Sequence, residues 1–154
     1  MNSEKENFLR TWENEFKTTL KVLKAYPEGR QNFRPHEISR SAREIAKTIA
    51  GEEKAVVLGV ISGNMDFSVM TSVPEDMKEL IEWYERSHKE MVHKYNELSD
   101  EDLKKTIDRG SFSPTIDVQL QVYLQALLIF FGKATIFVKA MNKPLPQPFQ
   151  EWIG

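Results

Sequence analysis

The run from Val118 to Gly132 constrains the fold most: it is 15 residues long, carries no charge and includes three glutamines. A membrane-spanning helix needs about 20 predominantly apolar residues, and a lysine near its centre costs about 3 kcal/mol. Lys133 and Lys139 follow inside the same helical pattern. The run therefore reads as a core helix of a soluble bundle, with no membrane span. It should begin near Ser113 or Pro114 and end near Met141, roughly 40 Å at 1.5 Å per residue. As the most apolar helix, it is expected to be surrounded by two or three others. The β-branched residues of TIFVK would permit a strand, but no turn signal separates them from the helical pattern.

Three further segments show helical periodicity. From about Ser3 to Tyr26, Phe8, Trp12, Phe16, Leu20 and Leu23 recur at intervals of four or three and share a face, with Ser3 and Glu6 at capping-box spacing. Pro27 and Gly29 stop that pattern. The second helix is expected to start near Pro35 or His36 and continue through Leu58, with Ile38, Ala42, Ile45, Ile49 and Ala50 turned inward. Gly51 lies inside it, where glycine costs about 1 kcal/mol. Residues 59–74 read as a loop. Pro74 opens the third helix, with Met77, Leu80, Tyr84, His88, Met91 and Tyr95 on its inner stripe. Ser99 and Asp102 mark a short helix, and RGSFSP is a turn. The prediction is one all-α domain over 1–154: an up-and-down four-helix bundle, with a longer crossover connection between its second and third helices.

Composition narrows the chemistry. The chain has no cysteine, which removes disulfides, thiolate metal sites and a cysteine nucleophile. A formal net charge of -2 favours neither nucleic acid nor acidic lipid. The N-terminal MNSEKENFLRTWENEF lacks the basic-then-apolar order of a secretory signal, so a cytoplasmic location is expected. His88 and His93 diverge by about 140° on a helix and form no HExxH pair. Glu85 and His88 have the Glu-x-x-His spacing of a dimetal site, but no second such pair exists. No GxGxxG, GxxxxGK or GxSxG motif occurs.

Several short stretches together resemble the DinB-like family of four-helix bundles: Trp12 in the first helix, Phe33-Arg34-Pro35 before the second, SRSAREIAKTIAGEE within it, and the closing FVKAMNKPLP. The resemblance implies a divalent metal held by three histidines, one on the second helix and two on the last, used by some members in thiol-dependent transfer or isomerisation. Aligning FVKAMN with the family's Tyr-Leu-Arg-x-x-Gly ending puts Phe131-Gly132-Lys133 at its Arg-Gly-Gln. The histidine positions then fall on Thr48, Ala126 and Phe130. Ala126 and Phe130 offer no lone pair, and Thr48 alone is a poor ligand for a divalent ion. A divergent member without the usual metal centre is implied, with no cofactor expected and a divalent metal only through an unusual site.

Two outcomes follow for the vacated centre. Phe130 and neighbouring aromatics fill it as core, the reading the residues favour, or an apolar pocket remains for a small organic ligand. The residues expected to line such a pocket are Trp12, Thr48, Glu52, His88, Gln125, Ala126 and Phe130. The preferred function is a noncatalytic bundle that binds a small molecule or another protein. The alternative is a metal-independent transferase or isomerase of the DinB-like family. The resemblance and the apolar content of the helices also imply a homodimer.

Overall fold

Each of the first three long helices begins where a side chain can satisfy its unpaired amides. In the computed structural model, which describes residues 3–153, α1 (Glu4–Lys24) starts with the expected capping box. Ser3 Oγ accepts from the Glu6 amide at 3.2 Å, and Glu6 Oε2 accepts from the Ser3 amide at 3.1 Å. The same device opens α2 (Ala42–Ser62) through Ser41 and Glu44, at 3.2 and 2.6 Å. Asp76 caps α3 (Met77–Asn96) by accepting from the Lys78 and Glu79 amides. The long apolar helix is α4 (Ile116–Ala140), and a short α5 (Phe149–Ile153) follows it.

The caps correct two predicted boundaries. α2 begins at Ala42 instead of Pro35 or His36, because Ala42 N–H donates to the Phe33 carbonyl and Arg43 N–H to the Gln31 carbonyl. These bonds fold residues 31–41 back across the helix start, and Ile38, predicted to face inward, is 88% exposed. The FRP stretch is thus a brace for α2. Phe33 meets Phe137 edge-on at 6.2 Å, and Arg34 pairs with Glu44 at 2.9 Å. At its other end α2 runs past Leu58 to Ser62, where Gly63 takes a left-handed φ of 79°. α3 begins at Met77, three residues after Pro74, since Asp76 supplies the better cap.

α1 packs against α3 and α4, and so does α2, leaving α1 and α2 facing each other across the bundle. Residues 63–76 carry a 3-10 turn, Phe67–Ser72, which lies on α2. Gly51 makes this possible: a Cβ there would sit 3.0 Å from Met70 Cγ and Val73 Cγ2, and 3.2 Å from Met70 Cα. The helix-weakening residue seen in the sequence is the bed for the connector.

The core is built around Trp12, Tyr84, Tyr95 and Tyr123, all at most 2% exposed. α4 departs from expectation, because it is not enclosed. Leu120, Tyr123, Leu127, Ala134 and Val138 are buried, while Val118, Val122, Ile129 and Ile136 on its other side remain exposed. Its principal helical neighbours are α1 and α2, which cover one face only. After α4 the C-terminal tail folds back as α5, with Phe149 buried edge-on against Phe131 at 5.5 Å.

Candidate functional site

Two polar assemblies lie along α2, one sealed and one open, and adjacent glutamates belong to different ones. On the inner side is Glu53, fully buried in the line set by Ile45, Ile49, Val56 and Val60. A buried carboxylate is tolerated only when its oxygens are satisfied. Here Glu53 Oε2 accepts from Trp12 Nε1–H at 2.8 Å and from the Tyr123 hydroxyl at 3.2 Å. His88 Nδ1 stands 3.1 Å from both carboxylate oxygens, the geometry of one N–H shared between them. The imidazole is itself fixed, stacked on Phe16 at 3.6 Å and met edge-on by Trp12 at 5.1 Å. All four helices thus contribute to one hydrogen-bonded centre. Burial and the Glu53 charge push the Tyr84 and Tyr123 hydroxyls well above the usual phenol range, which keeps Tyr123 a donor.

On the outer side, α2, the Phe67–Ser72 turn and α4 enclose an open cleft of about 530 Å³. Phe67, Met70 and Phe130 form its apolar wall; Arg40, Thr48 and Glu52 form the polar one, with Glu44 and Lys47 at the same cleft. Thr48 Oγ1 donates to the Glu44 carbonyl at 2.9 Å and accepts from Arg40 at 3.0 Å. That leaves Arg40 with further N–H donors of the five a guanidinium carries. The Glu52 carboxyl is pushed up by burial, an effect that the nearby Arg40 charge opposes. Glu44 is held low by the Ser41 hydrogen bonds and Arg34, as a cap is expected to be.

The structure distributes the seven predicted pocket residues among different environments. Thr48, Glu52 and Phe130 meet in the open cleft. Phe130 is half-buried and lines this space with the Lys133 ammonium 5.1 Å above its ring; it does not plug the bundle. Trp12 and His88 are sealed around Glu53, and Gln125 points outward from α4, beside a half-buried Ala126. Glu53, the residue that organises the core, was not among the predicted site residues. Its signal was available: it falls on the inward 3–4 stripe of α2, while Trp12 and His88 on inward stripes each bring a polar N–H needing an acceptor. The positions that the family resemblance assigns to metal ligands hold Thr48, Ala126 and Phe130. A methyl group and a phenyl ring cannot coordinate, so these residues do not fit a divalent ion. Among the described residues, no group of three or more His, Asp or Glu side chains is placed to hold a metal.

No protein-family model and no curated protein matches the chain. The fold is nevertheless shared with solved structures. A DinB-like protein from Bacillus subtilis superposes with a TM-score of 0.77 at 19% identity, over 91% of this chain and 95% of that one. A DinB-like protein from Bacillus cereus superposes with a TM-score of 0.79 at 18% identity, over 92% of this chain and 95% of that one. The chain therefore has a DinB-like helical-bundle fold.

Proposed function

We propose that this chain is a divergent DinB-like bundle, lacking the three-histidine metal centre, that binds a small organic molecule without transforming it. The cleft between α2, the Phe67–Ser72 turn and α4 is the site. The observation that carries the reading is the convergence of an aromatic and methionine wall with Arg40 and a desolvated Glu52 in one open hollow. The suited ligand has a flat or short-chain apolar body for Phe67, Met70 and Phe130. Its polar head would present an acceptor to Arg40 and a donor to Glu52. A noncatalytic role is favoured because the Thr48 hydroxyl proton is committed to the Glu44 backbone carbonyl and not to a side-chain base. The Glu53–His88 pair, which has acid–base chemistry, is closed off in the core.

A fragment library screened by thermal shift and followed by calorimetric titration tests this. Saturable binding that weakens in Arg40→Ala and in Phe130→Ala is the expected result. An absence of saturable hits, or hits indifferent to both substitutions, would refute it. The raised Glu52 carboxyl favours a second reading, metal-independent proton transfer in a transferase or isomerase. Turnover of a bound fragment, lost in Glu52→Gln with binding retained, would establish that reading instead.

A further inference from the structure

A second hollow lies between the end of α1, the turn that follows it and the first half of α3, and it shares no lining residue with the cleft on α2. Its volume of about 840 Å³ falls within the range of small-molecule sites. Leu23, Tyr26, Pro27, Met77 and Ile81 supply an apolar floor. Met77 and Ile81 stand one helical turn apart, so one face of α3 lines the hollow. The opposite wall is fixed from outside: Gly29 takes a left-handed φ of 75°, and beyond it the Gln31 carbonyl accepts from the Arg43 amide of α2 at 2.8 Å.

The polar rim is unbalanced. Four carboxylates border the hollow, Glu28, Asp76, Glu82 and Glu85, against the two ammonium groups of Lys24 and Lys78. Lys24 is engaged with Glu85 at 2.7 Å, and Asp76 caps α3 by accepting from two amides. Glu28 and Glu82 enter no ion pair among the described residues. The last carbonyls of α1 add the negative end of a helix dipole to this field. A further observation points outside the chain. Tyr26 Oη lies in the wall, shut from solvent, with no hydrogen-bond partner among the described residues. Buried polar groups of native folds are normally satisfied. Burial pushes this phenol up, so it stays neutral and can accept from a cation.

We propose that this hollow is a second small-molecule site, selective for an organic ammonium ion carried on an apolar body. The body covers Leu23, Met77 and Ile81. The ammonium donates to Glu28, Glu82 and the Tyr26 hydroxyl, which a small rotation of its ring brings to the ligand. An anion of the same shape would meet uncompensated carboxylates. The site is independent of the cleft on α2, so either proposal can fail alone.

Calorimetric titration with phenethylamine tests this, with hydrocinnamate and phenethyl alcohol as the anionic and neutral analogues. The amine should saturate one site and bind about tenfold or more tightly than the carboxylate. Glu28→Gln and Glu82→Gln together should weaken it about fivefold or more. Both positions are exposed, so circular dichroism and thermal midpoint should stay unchanged. Tyr26→Phe should leave the unliganded protein no less stable, since the hydroxyl bonds nothing there, and weaken the amine about threefold. Amide shifts on titration should cluster in residues 23–31 and 76–85. Absence of saturation, equal affinity for the three compounds, or indifference to the paired glutamine substitutions would overturn the proposal. So would binding lost in Phe130→Ala with shifts confined to α2 and α4, which would assign the amine to the cleft.

Discussion

Replacing Glu53 by alanine should destabilise the bundle far more than the same replacement at Glu52, one residue away. The substitution strands three buried donors: Trp12 Nε1–H, the Tyr123 hydroxyl and His88 Nδ1–H. A buried donor left unpaired costs about 1–3 kcal/mol, so independent losses would sum to roughly 3–9 kcal/mol. The three share one carboxylate and can relax together, so simple addition overstates the effect. A loss of about 3–5 kcal/mol, in the lower part of that range, is therefore expected. Against a domain stability of about 5–15 kcal/mol, it takes a large share. Glu52 borders the open cleft and its carboxyl is disfavoured by desolvation, so Glu52→Ala should change stability by less than about 0.5 kcal/mol. Urea unfolding followed by tryptophan fluorescence and far-ultraviolet circular dichroism measures both, with unchanged m values confirming a common transition. A double-mutant cycle adds a second reading. In a Tyr123→Phe background one stranded donor is already gone, so Glu53→Ala should cost less, with a coupling of about 0.5–3 kcal/mol. A Glu53→Ala loss below about 1 kcal/mol, or strictly additive changes in the cycle, would refute the idea that Glu53 organises the core.

Ser41→Ala removes the hydroxyl that caps α2 and should lower unfolding stability by about 1 kcal/mol in the same urea assay. Gly51→Ala and Gly59→Ala should both destabilise by about 1–3 kcal/mol despite alanine's helix propensity. The added methyl meets Met70 Cα at 3.2 Å in one case and Met65 Sδ at 2.2 Å in the other; a gain in thermal midpoint for either would contradict the close approach. For Glu52, a folded-state pKa above the unfolded value means its contribution is most favourable below the unfolded pKa and is lost as pH rises through the folded one. Glu52→Gln should therefore remove a fall in stability with rising pH, so that its stability relative to the unsubstituted protein climbs across the weakly acidic range and is no lower at neutral pH. A relative stability that fell as pH rose through that range would reverse the sign assigned to this carboxyl.

Much of the secondary structure was legible because its causes are local. The Ser3–Glu6 box and the Phe8–Trp12–Phe16 spacing are complete within a few residues, and the structure has them as read. The α2 start was misplaced because it depends on bonds from Ala42 and Arg43 back to residues 33 and 31, which no helix-propensity pattern contains. Gly51 appeared as a weak point in a helix, and only the neighbouring Met70 backbone gives it a reason.

The candidate site divides the same way. Thr48 and Phe130 could be placed together from the family resemblance, and the structure sets them in one cleft. His88 and Trp12 were recognised as inward-facing, but their shared acceptor was missed, since Glu52 and Glu53 are chemically identical and differ by about 100° of helix rotation. The amino-acid order by itself determined four long helical segments, the Ser3–Glu6 cap of the first and the absence of histidine at the three expected positions, because those properties reside in single residues or short periods. Which glutamate enters the core, whether Phe130 fills the bundle or borders a cleft, and which side of α4 stays uncovered were decided by tertiary structure. Each depends on the rotation at which helices distant in sequence meet, and that rotation is set by the collective fit of their side chains.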